Sequence, residues 1–488
     1  MSSSGSVGER DAVVVPAIDA PSSLACLRSL APRGIRTIVL AHSRSAPAVH
    51  SRYCDERIYL PSPQADFRGY ADRLLELAMR PDVRTIIPVR EADVYVLARD
   101  REQFAEHVGT PWPTFETLAT VQDRLKLFAA ADRAGVAAPE TVPLSAVEDH
   151  SRRWVVKSRY SILTERYLGG EPEGKFASGE HAGADESLPP ERPPMADESP
   201  PTDEPPASDG SLALDRSPTS DGSSAPDDAP ESDEPLLTDG ARRMHEPLVT
   251  DGSVETGTET CDMPPTTRYL QSGAVPDIES IVAEMGHEPI AQEYVDTPHE
   301  YGFFAMYDHG EPVATFQHRQ RRGYSYAGGP SAFRESIDIP ELSDAGLALL
   351  DELDWHGPAM VEFLRNEETG EFKLMEINPR FWSSLPFTVQ AGADFPYYYW
   401  QLATGDRESI RPGYDVGMGG HLLRGEALYL HSVLTDDVEL VDRPSVLGSV
   451  GSIGKSLLTQ PRFDYLDLRD PWPFVQDCRN TVGAVLKR

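Results

Sequence analysis

In KLMEINPRFWSS (Lys373–Ser384) a carboxylate, an amide, a proline and an arginine crowd the end of an apolar strand. A buried carboxylate is costly unless something compensates it, so Glu376 needs a partner. Glu376 and Asn378 stand two apart on a predicted strand, which points both to one face, roughly 6–7 Å apart at Cα. The preceding strand, PAMVEFLR, carries Glu362, and NEETG closes the hairpin between them. Any antiparallel register whose paired residue numbers sum to an even value puts Glu362 on the same face. Three oxygen-bearing side chains then converge, an arrangement that suits Mg²⁺, a hard cation held by one or two carboxylates plus substrate phosphates. Arg380, just beyond the rigid proline, is within reach of a transferring phosphoryl group. A hairpin capped by a surface salt bridge satisfies the same spacing. Phe381 and Trp382 fit either a pocket wall or the core.

The flanking patterns supply the elements that must position these residues. AVVVPA (12–17) reads as a short buried strand. DAPSSLACLRSLAPRG then carries helix signals, with Pro21 in the first turn and Gly34 at the stop. IRTIVLAH is a second strand, FRGYADRLLELAMR a second helix, and VRTIIPVREADV a third strand running into a loop. This alternation predicts a small parallel sheet. No GxGxxG follows the first strand, which disfavours a dinucleotide-binding domain. TVQDRLKLFAAADRAGV, from Thr120, reads as one helix and RWVVKSRYSIL as a strand. EYGFFAMYDHGEPVATFQHRQ alternates as a hairpin turning at DHGE. In PELSDAGLALLDELDW, Leu342, Ala345, Leu349 and Leu353 share one helix face.

FQHRQRRGYSYAGGPSAFRES is basic within an acidic chain. Arg319 and Arg321 could bind a substrate carboxylate or a γ-phosphate, and Gly328–Ser331 offers backbone N–H groups to anionic oxygen. A solvated charged loop has the same composition. GSVGSIGKS (Gly448–Ser456) imitates a phosphate loop, but Ser449 stands where the Walker pattern needs glycine and no clear strand precedes it, which argues against a P-loop NTPase.

The 488 residues carry a formal net charge of −34, with six lysines among the 45 basic residues. That balance argues against nonspecific nucleic-acid binding and against docking on anionic lipid. A strongly acidic, lysine-poor surface fits solubility in the salt-rich cytoplasm of a halophilic archaeon; an ordinary acidic protein from a GC-biased gene fits as well. Four dispersed cysteines form no CxxC pair, which disfavours a disulfide framework or structural zinc. Neither a secretory signal nor an apolar run of about 20 residues is found, so the chain reads as soluble and cytoplasmic. From about Glu171 to Pro265 the composition shifts to Pro, Ser, Asp, Glu and Gly. Between Leu168 and Arg268 there are 24 acidic and six basic residues, a net charge of −18. Such a segment is expected to be a disordered insert, because it has too little apolar surface to offset its ordering entropy.

The order of these parts resembles the ATP-grasp superfamily, and most of all the carboxylate–amine ligase-like proteins related to the carbamoyl-phosphate synthetase ATP-grasp domain. The resemblance runs from about Ala12 to Leu486, leaving out the insert. Its most specific piece is MVEF, followed fourteen residues after its glutamate by EINPRFW. It implies an α/β (α+β) fold: an N-terminal parallel α/β domain (1–119), a small lid subdomain including the insert (120–295), a C-terminal antiparallel-sheet subdomain (296–405), and an extension packed on the core (406–488). It also implies that Glu362, Glu376 and Asn378 hold Mg²⁺ (or Mn²⁺), while Arg380 contacts the phosphoryl or acyl-phosphate group. WVVKSRY resembles the strand whose lysine binds nucleotide phosphates, giving Lys157, and Arg124 lies where relatives place a basic residue on the α-phosphate side. AQEYV resembles the hinge that meets adenine, placing Glu293, Tyr294 and Val295 there, with Glu300 on the ribose hydroxyls. YLGGEPEGK (Tyr167–Lys175) resembles a remnant of a glycine-rich lid. The implied partners are ATP, a small carboxylate and an amine, in a monomer or a homodimer. The implied activity is ligation through an acyl phosphate. A noncatalytic ATP-binding scaffold with an acidic recruiting tether is the competing expectation.

Overall fold

The computed structural model describes residues 10–168, 261–262, 267–297, 299–366, 369–437 and 441–486. The insert expected over 171–265 lies outside these residues except for Cys261 and Asp262, as does the lid remnant beyond Leu168.

Strands β1 (Ala12–Pro16), β2 (Arg36–Ala41), β3 (Glu56–Tyr59) and β4 (Val83–Ile86) form a parallel sheet in the order β3-β2-β1-β4. Parallel neighbours need crossovers, and the helices Ser22–Leu30 and Phe67–Ala78 lie in two of them. The sequence reading missed β3, a four-residue edge strand whose burial merely alternates. It also missed the helix Glu91–Arg99, where a loop was expected. That helix starts because the Asp93 carboxylate accepts from the backbone N–H groups of Val89 and Arg90, at 3.1 and 2.9 Å.

The single helix expected from Thr120 is two, Phe115–Gln122 and Arg124–Arg133. Asp123 separates them in an extended conformation and caps the second through the Leu125 N–H at 3.1 Å. Arg159 holds the Asp123 carboxylate with two bonds of 2.9 and 2.6 Å.

Next come β5 (Thr141–Pro143), β6 (Trp154–Lys157), β7 (Leu163–Thr164), β8 (Cys261–Asp262), β9 (Arg268–Leu270) and β10 (Ile290–Glu293). Four of them make a small antiparallel sheet, β5-β10-β6-β9, and β7 pairs with β8. Ile281 and Met285 of the helix Ile278–Met285 join Trp154, Val156 and Leu144 in an apolar cluster of their own. The strand expected over RWVVKSRYSIL is shorter, because beyond Lys157 the Ser158 hydroxyl turns the chain by donating to the Tyr160 carbonyl at 2.7 Å.

The largest sheet contains β11 (Glu300–Asp308), β12 (Glu311–Ser325), β13 (Gly328–Ser336), β14 (Gly357–Arg365), β15 (Phe372–Asn378) and β16 (Gly419–His421), in the order β15-β14-β11-β12-β13-β16. The first hairpin turns at His309 and Gly310, both with positive φ (49° and 78°), as its two-residue turn requires. One face is apolar core. There the helix Pro340–Glu352 comes so close that a Cβ on Gly346 would overlap the Phe303 ring. Buried ion pairs Arg322–Glu426 (2.8 Å) and Arg334–Asp464 fasten the C-terminal segment to β12 and β13. GSVGSIGKS lies within the helix Val446–Thr459, so no phosphate loop forms.

Candidate functional site

The opposite face of this sheet carries the chemistry. Near the NEETG loop the β14–β15 register is odd: Phe363 pairs with Leu374 and Leu364 with Lys373. Carried further, it would set Glu362 against Met375 and turn Glu376 toward the core. The register shifts between Glu362 and Phe363, leaving Met375 as the extra residue of a bulge, so Glu362 pairs with Glu376 and Met360 with Asn378. The Asn378 amide nitrogen lies 3.1 Å from Glu362 Oε1 and 3.5 Å from Glu376 Oε1, while its oxygen accepts from Arg380 at 2.8 Å.

The break at Asp123 gives Arg124 its direction. Its backbone N–H donates to the Arg159 carbonyl at 2.9 Å, and its guanidinium donates to the Ser158 carbonyl at 2.9 Å and to Glu376 Oε2 at 3.1 Å. Arg380 is held from the other side, where Nε donates to Glu91 Oε1 at 2.8 Å. Glu91 in turn accepts from Gln122 at 3.3 Å.

Charge balance follows from this packing. Burial, then the nearby Glu376 and Glu300 carboxylates, push the Glu362 pKa well up, against Arg380 and Lys157. Burial pushes Glu376 the same way, but Arg124, Lys157 and Arg380 outweigh it and hold that carboxyl below its ordinary value. Burial raises Glu300 to about 7, helped by the Glu376 charge, while its hydrogen bond from Gln320 (3.1 Å) opposes the shift. Burial and Arg124 lower Lys157 to about 8, against the pull of Glu376 and Glu362.

These groups line a cleft of about 1070 Å³ between the small antiparallel sheet and the large one. Lys157, Glu293, Tyr294, Val295, Glu300, Arg321, Glu362, Glu376, Asn378 and Arg380 all border it, as does Gly328–Ser331. Glu293 also bonds Lys373 Nζ at 3.0 Å. Arg124 reaches the cleft only through Glu376. Arg319 is not brought there: it pairs across the sheet with Tyr301, on the other face, and bonds Glu335 at 3.0 Å. Phe381 and Trp382 belong to the core, with 0% and 1% exposure, and Ser383 and Ser384 are the cleft-facing residues of that stretch.

Sequence reasoning missed Glu91, Gln320 and His318. His318 continues the cross-strand row Glu376–Glu362–Gly302. It lines the cleft at 4% exposure, against the Phe304 ring at 4.7 Å. Burial and Arg334 lower its pKa to about 3, so the imidazole is neutral. Its place between Gln317 and Arg319 in the polar FQHRQ stretch was the only signal available.

No family model matches the sequence, and neither does any curated protein. Solved structures do match. The biotin carboxylase domain of the Hydrogenobacter thermophilus 2-oxoglutarate carboxylase, in complex with MgADP, ADP and bicarbonate, superposes with a TM-score of 0.50 at 12% identity, covering 83% of this chain and 73% of that one. The fold is the ATP-grasp fold. N5-carboxyaminoimidazole synthetase from Staphylococcus aureus (TM-score 0.48, 11% identity, 84% and 80% covered) and an L-amino acid ligase from Bacillus licheniformis (0.46, 12%, 83% and 78%) are similar more loosely.

Within the ATP-grasp fold, the donor set around Glu362 fits a divalent cation. Two carboxylates face each other, a third (Glu300) lies close enough to help raise the Glu362 pKa, and all their donors are hard oxygens. Asn378 presently turns its N–H side to the carboxylates and would offer its oxygen to a cation only by turning the amide over.

Proposed function

We propose that this chain is an ATP-dependent ligase that activates a small carboxylate as an acyl phosphate for attack by an amine, releasing ADP and phosphate. The observation that carries the reading is the facing pair Glu362–Glu376, with Asn378 and Arg380 beside it on one cleft wall and Lys157, from β6 of the small sheet, on the other.

In this reading the hinge Glu293–Val295 receives adenine and Glu300 the ribose hydroxyls. Lys157 and Arg124 balance the phosphate charge. A carboxylate is a poor electrophile, so its oxygen first attacks the γ-phosphorus and the γ-phosphate to β-oxygen bond breaks, leaving ADP. The amine then attacks the acyl carbon, and phosphate departs with the bonding pair. Arg380, fixed by Glu91, faces the phosphoryl group in both steps, and Arg321 is placed to meet the substrate carboxylate. Glu362, Glu376 and Asn378 would hold Mg²⁺ or Mn²⁺, whose charge would offset that of the phosphate oxygens. We assign residues 1–119 to the N-terminal domain, 120–295 to the lid subdomain, 296–405 to the metal- and ATP-binding subdomain and 406–488 to the extension.

The test is ADP and phosphate release by the purified full chain across a panel of carboxylates and amines, with Mg²⁺, at low and high salt. Turnover that requires both a carboxylate and Mg²⁺ supports the ligase. Nucleotide binding without turnover across the panel would favour the scaffold instead. A salt optimum well above 0.15 M, where the Debye length is about 8 Å, would support the halophilic origin suggested by composition.

A further inference from the structure

A second cavity, of about 420 Å³, lies between the N-terminal sheet and the helix Trp472–Leu486. It shares no lining residue with the cleft described above. Its chemistry runs against the composition of the chain. Arg44, His50, Arg57 and Arg479 line it together with the rings of Tyr59 and Trp472, and among the described residues no carboxylate does. In a protein of net charge −34 this is an inverted patch.

The contrast with neighbouring arginines is specific. Arg36 and Arg80 share Glu56 and Asp82, and Arg28 and Arg424 pair with Asp470 and Asp477. Among the described residues, no carboxylate lies within ion-pair distance of Arg44, Arg57 or Arg479. Arg57 is nonetheless positioned: Nε donates to the Val49 carbonyl at 2.7 Å, which steers the guanidinium and leaves its two terminal nitrogens for a ligand. His50 bonds the Arg44 carbonyl at 2.8 Å and so ties the two ends of that loop together, and the Arg44 guanidinium lies 5.4 Å from the Tyr59 ring centre. Arg57 and Tyr59, two apart on the edge strand β3, face the cavity side by side. Trp472 is 62% exposed and Tyr59 45%, an unusual outlay of aromatic surface beside unpaired cations.

We propose that this cavity is a second binding site, taking a phosphate-bearing compound with a flat ring, of mononucleotide size. Guanidinium groups match phosphate oxygens in geometry as well as charge. The two rings supply faces on which a planar heterocycle stacks. The volume lies within the range of about 300–1,000 Å³ typical of small-molecule sites.

The test is calorimetric titration of the full chain with uridine 5′-monophosphate, inorganic phosphate and uridine, while the main cleft is saturated with Mg²⁺ and a non-hydrolysable ATP analogue. The expected result is measurable binding of the nucleotide, binding of phosphate about tenfold or more weaker, and no binding of uridine. The double variant Arg57→Gln/Arg479→Gln should weaken nucleotide binding at least about tenfold and leave the affinity for the ATP analogue unchanged. Nucleotide binding should also quench tryptophan fluorescence in the native chain and not in Trp472→Phe. No binding of the nucleotide, equal binding of nucleotide and phosphate, or full affinity in the double variant with native circular dichroism would each overturn the proposal.

Discussion

Glu362 stands directly opposite Glu376 because Met375 bulges out of β15 between them and the hairpin loop. Like charges across a ladder are unfavourable, and burial makes them more so. On the proposed reading, the pair is a place where the fold gives up stability for a cation.

That cost predicts two effects of opposite sign. Glu362→Gln removes one member of the buried pair and keeps its shape, so the protein without added metal should become more stable. A gain on the order of 1 kcal/mol, or a melting point about 2 °C higher, is expected. The same variant should lose the further stabilisation that Mg²⁺ plus ATP gives the native chain, together with turnover. Thermal melts with and without Mg²⁺ and ATP check both halves. A fall in melting point without metal would count against the strain argument.

Glu91 tests positioning. It holds Arg380 Nε at 2.8 Å and contacts no part of the ladder itself. Glu91→Ala should free the guanidinium to wander, lowering kcat for ADP release by about 10- to 100-fold with little change in the KM for ATP, the range typical of lost supporting contacts. Steady-state kinetics at saturating carboxylate separates the two constants. An equal rise in KM with kcat intact would place Arg380 in ground-state binding.

How much of this was legible beforehand depends on the range of the interaction. Glu362, Glu376, Asn378 and Arg380 sit within nineteen residues, and alternation along two adjacent strands places them with only the register left free. The even register was anticipated as a condition, whereas the bulge that creates it has no sequence mark at Met375. The Asp123 break was hidden because QDRLKLF keeps good helix formers on both sides. What stops the helix is Arg159, thirty-six residues away, gripping the aspartate. Glu91 lies 289 residues from Arg380 and was invisible for the same reason. Arg319 and Arg321 would share a face by strand alternation, and the irregular β12–β13 pairing beyond Gln320 separates them: Arg321 borders the cleft, while Arg319 bonds Glu335 at 3.0 Å.

Lys157 carries a pH signature. Its pKa is lowered to about 8, chiefly by burial, so the charged form that attracts phosphate is lost as pH rises through about 8. A bound polyanion raises that pKa, so ATP affinity should fall by up to about tenfold per pH unit above it, as for any single linked proton. Lys157→Met should bind ATP more weakly at pH 7 and show a flat profile between pH 7 and 9. Binding titrations at fixed free Mg²⁺ measure this. A native profile as flat as the variant's would remove Lys157 from the phosphate contacts.

His318 governs the acid side of stability. Its folded pKa of about 3 lies below the ordinary histidine value of 6.5, because burial and Arg334 disfavour the imidazolium. The unfolded chain therefore binds a proton between these values that the folded chain refuses. The stability contributed by the neutral ring is present above about pH 6.5 and is lost as pH falls toward 3, at up to about 1.4 kcal/mol per pH unit. His318→Leu keeps an apolar body among Phe304, Phe316 and Phe387 and has no proton to take up. Urea midpoints measured at pH 6.5, 5.5 and 4.5 should fall less steeply in the variant than in the native protein, with the two curves converging or crossing toward acid. Parallel curves would mean that His318 is already protonated in the fold, and that its cleft-facing edge meets substrate as a cation.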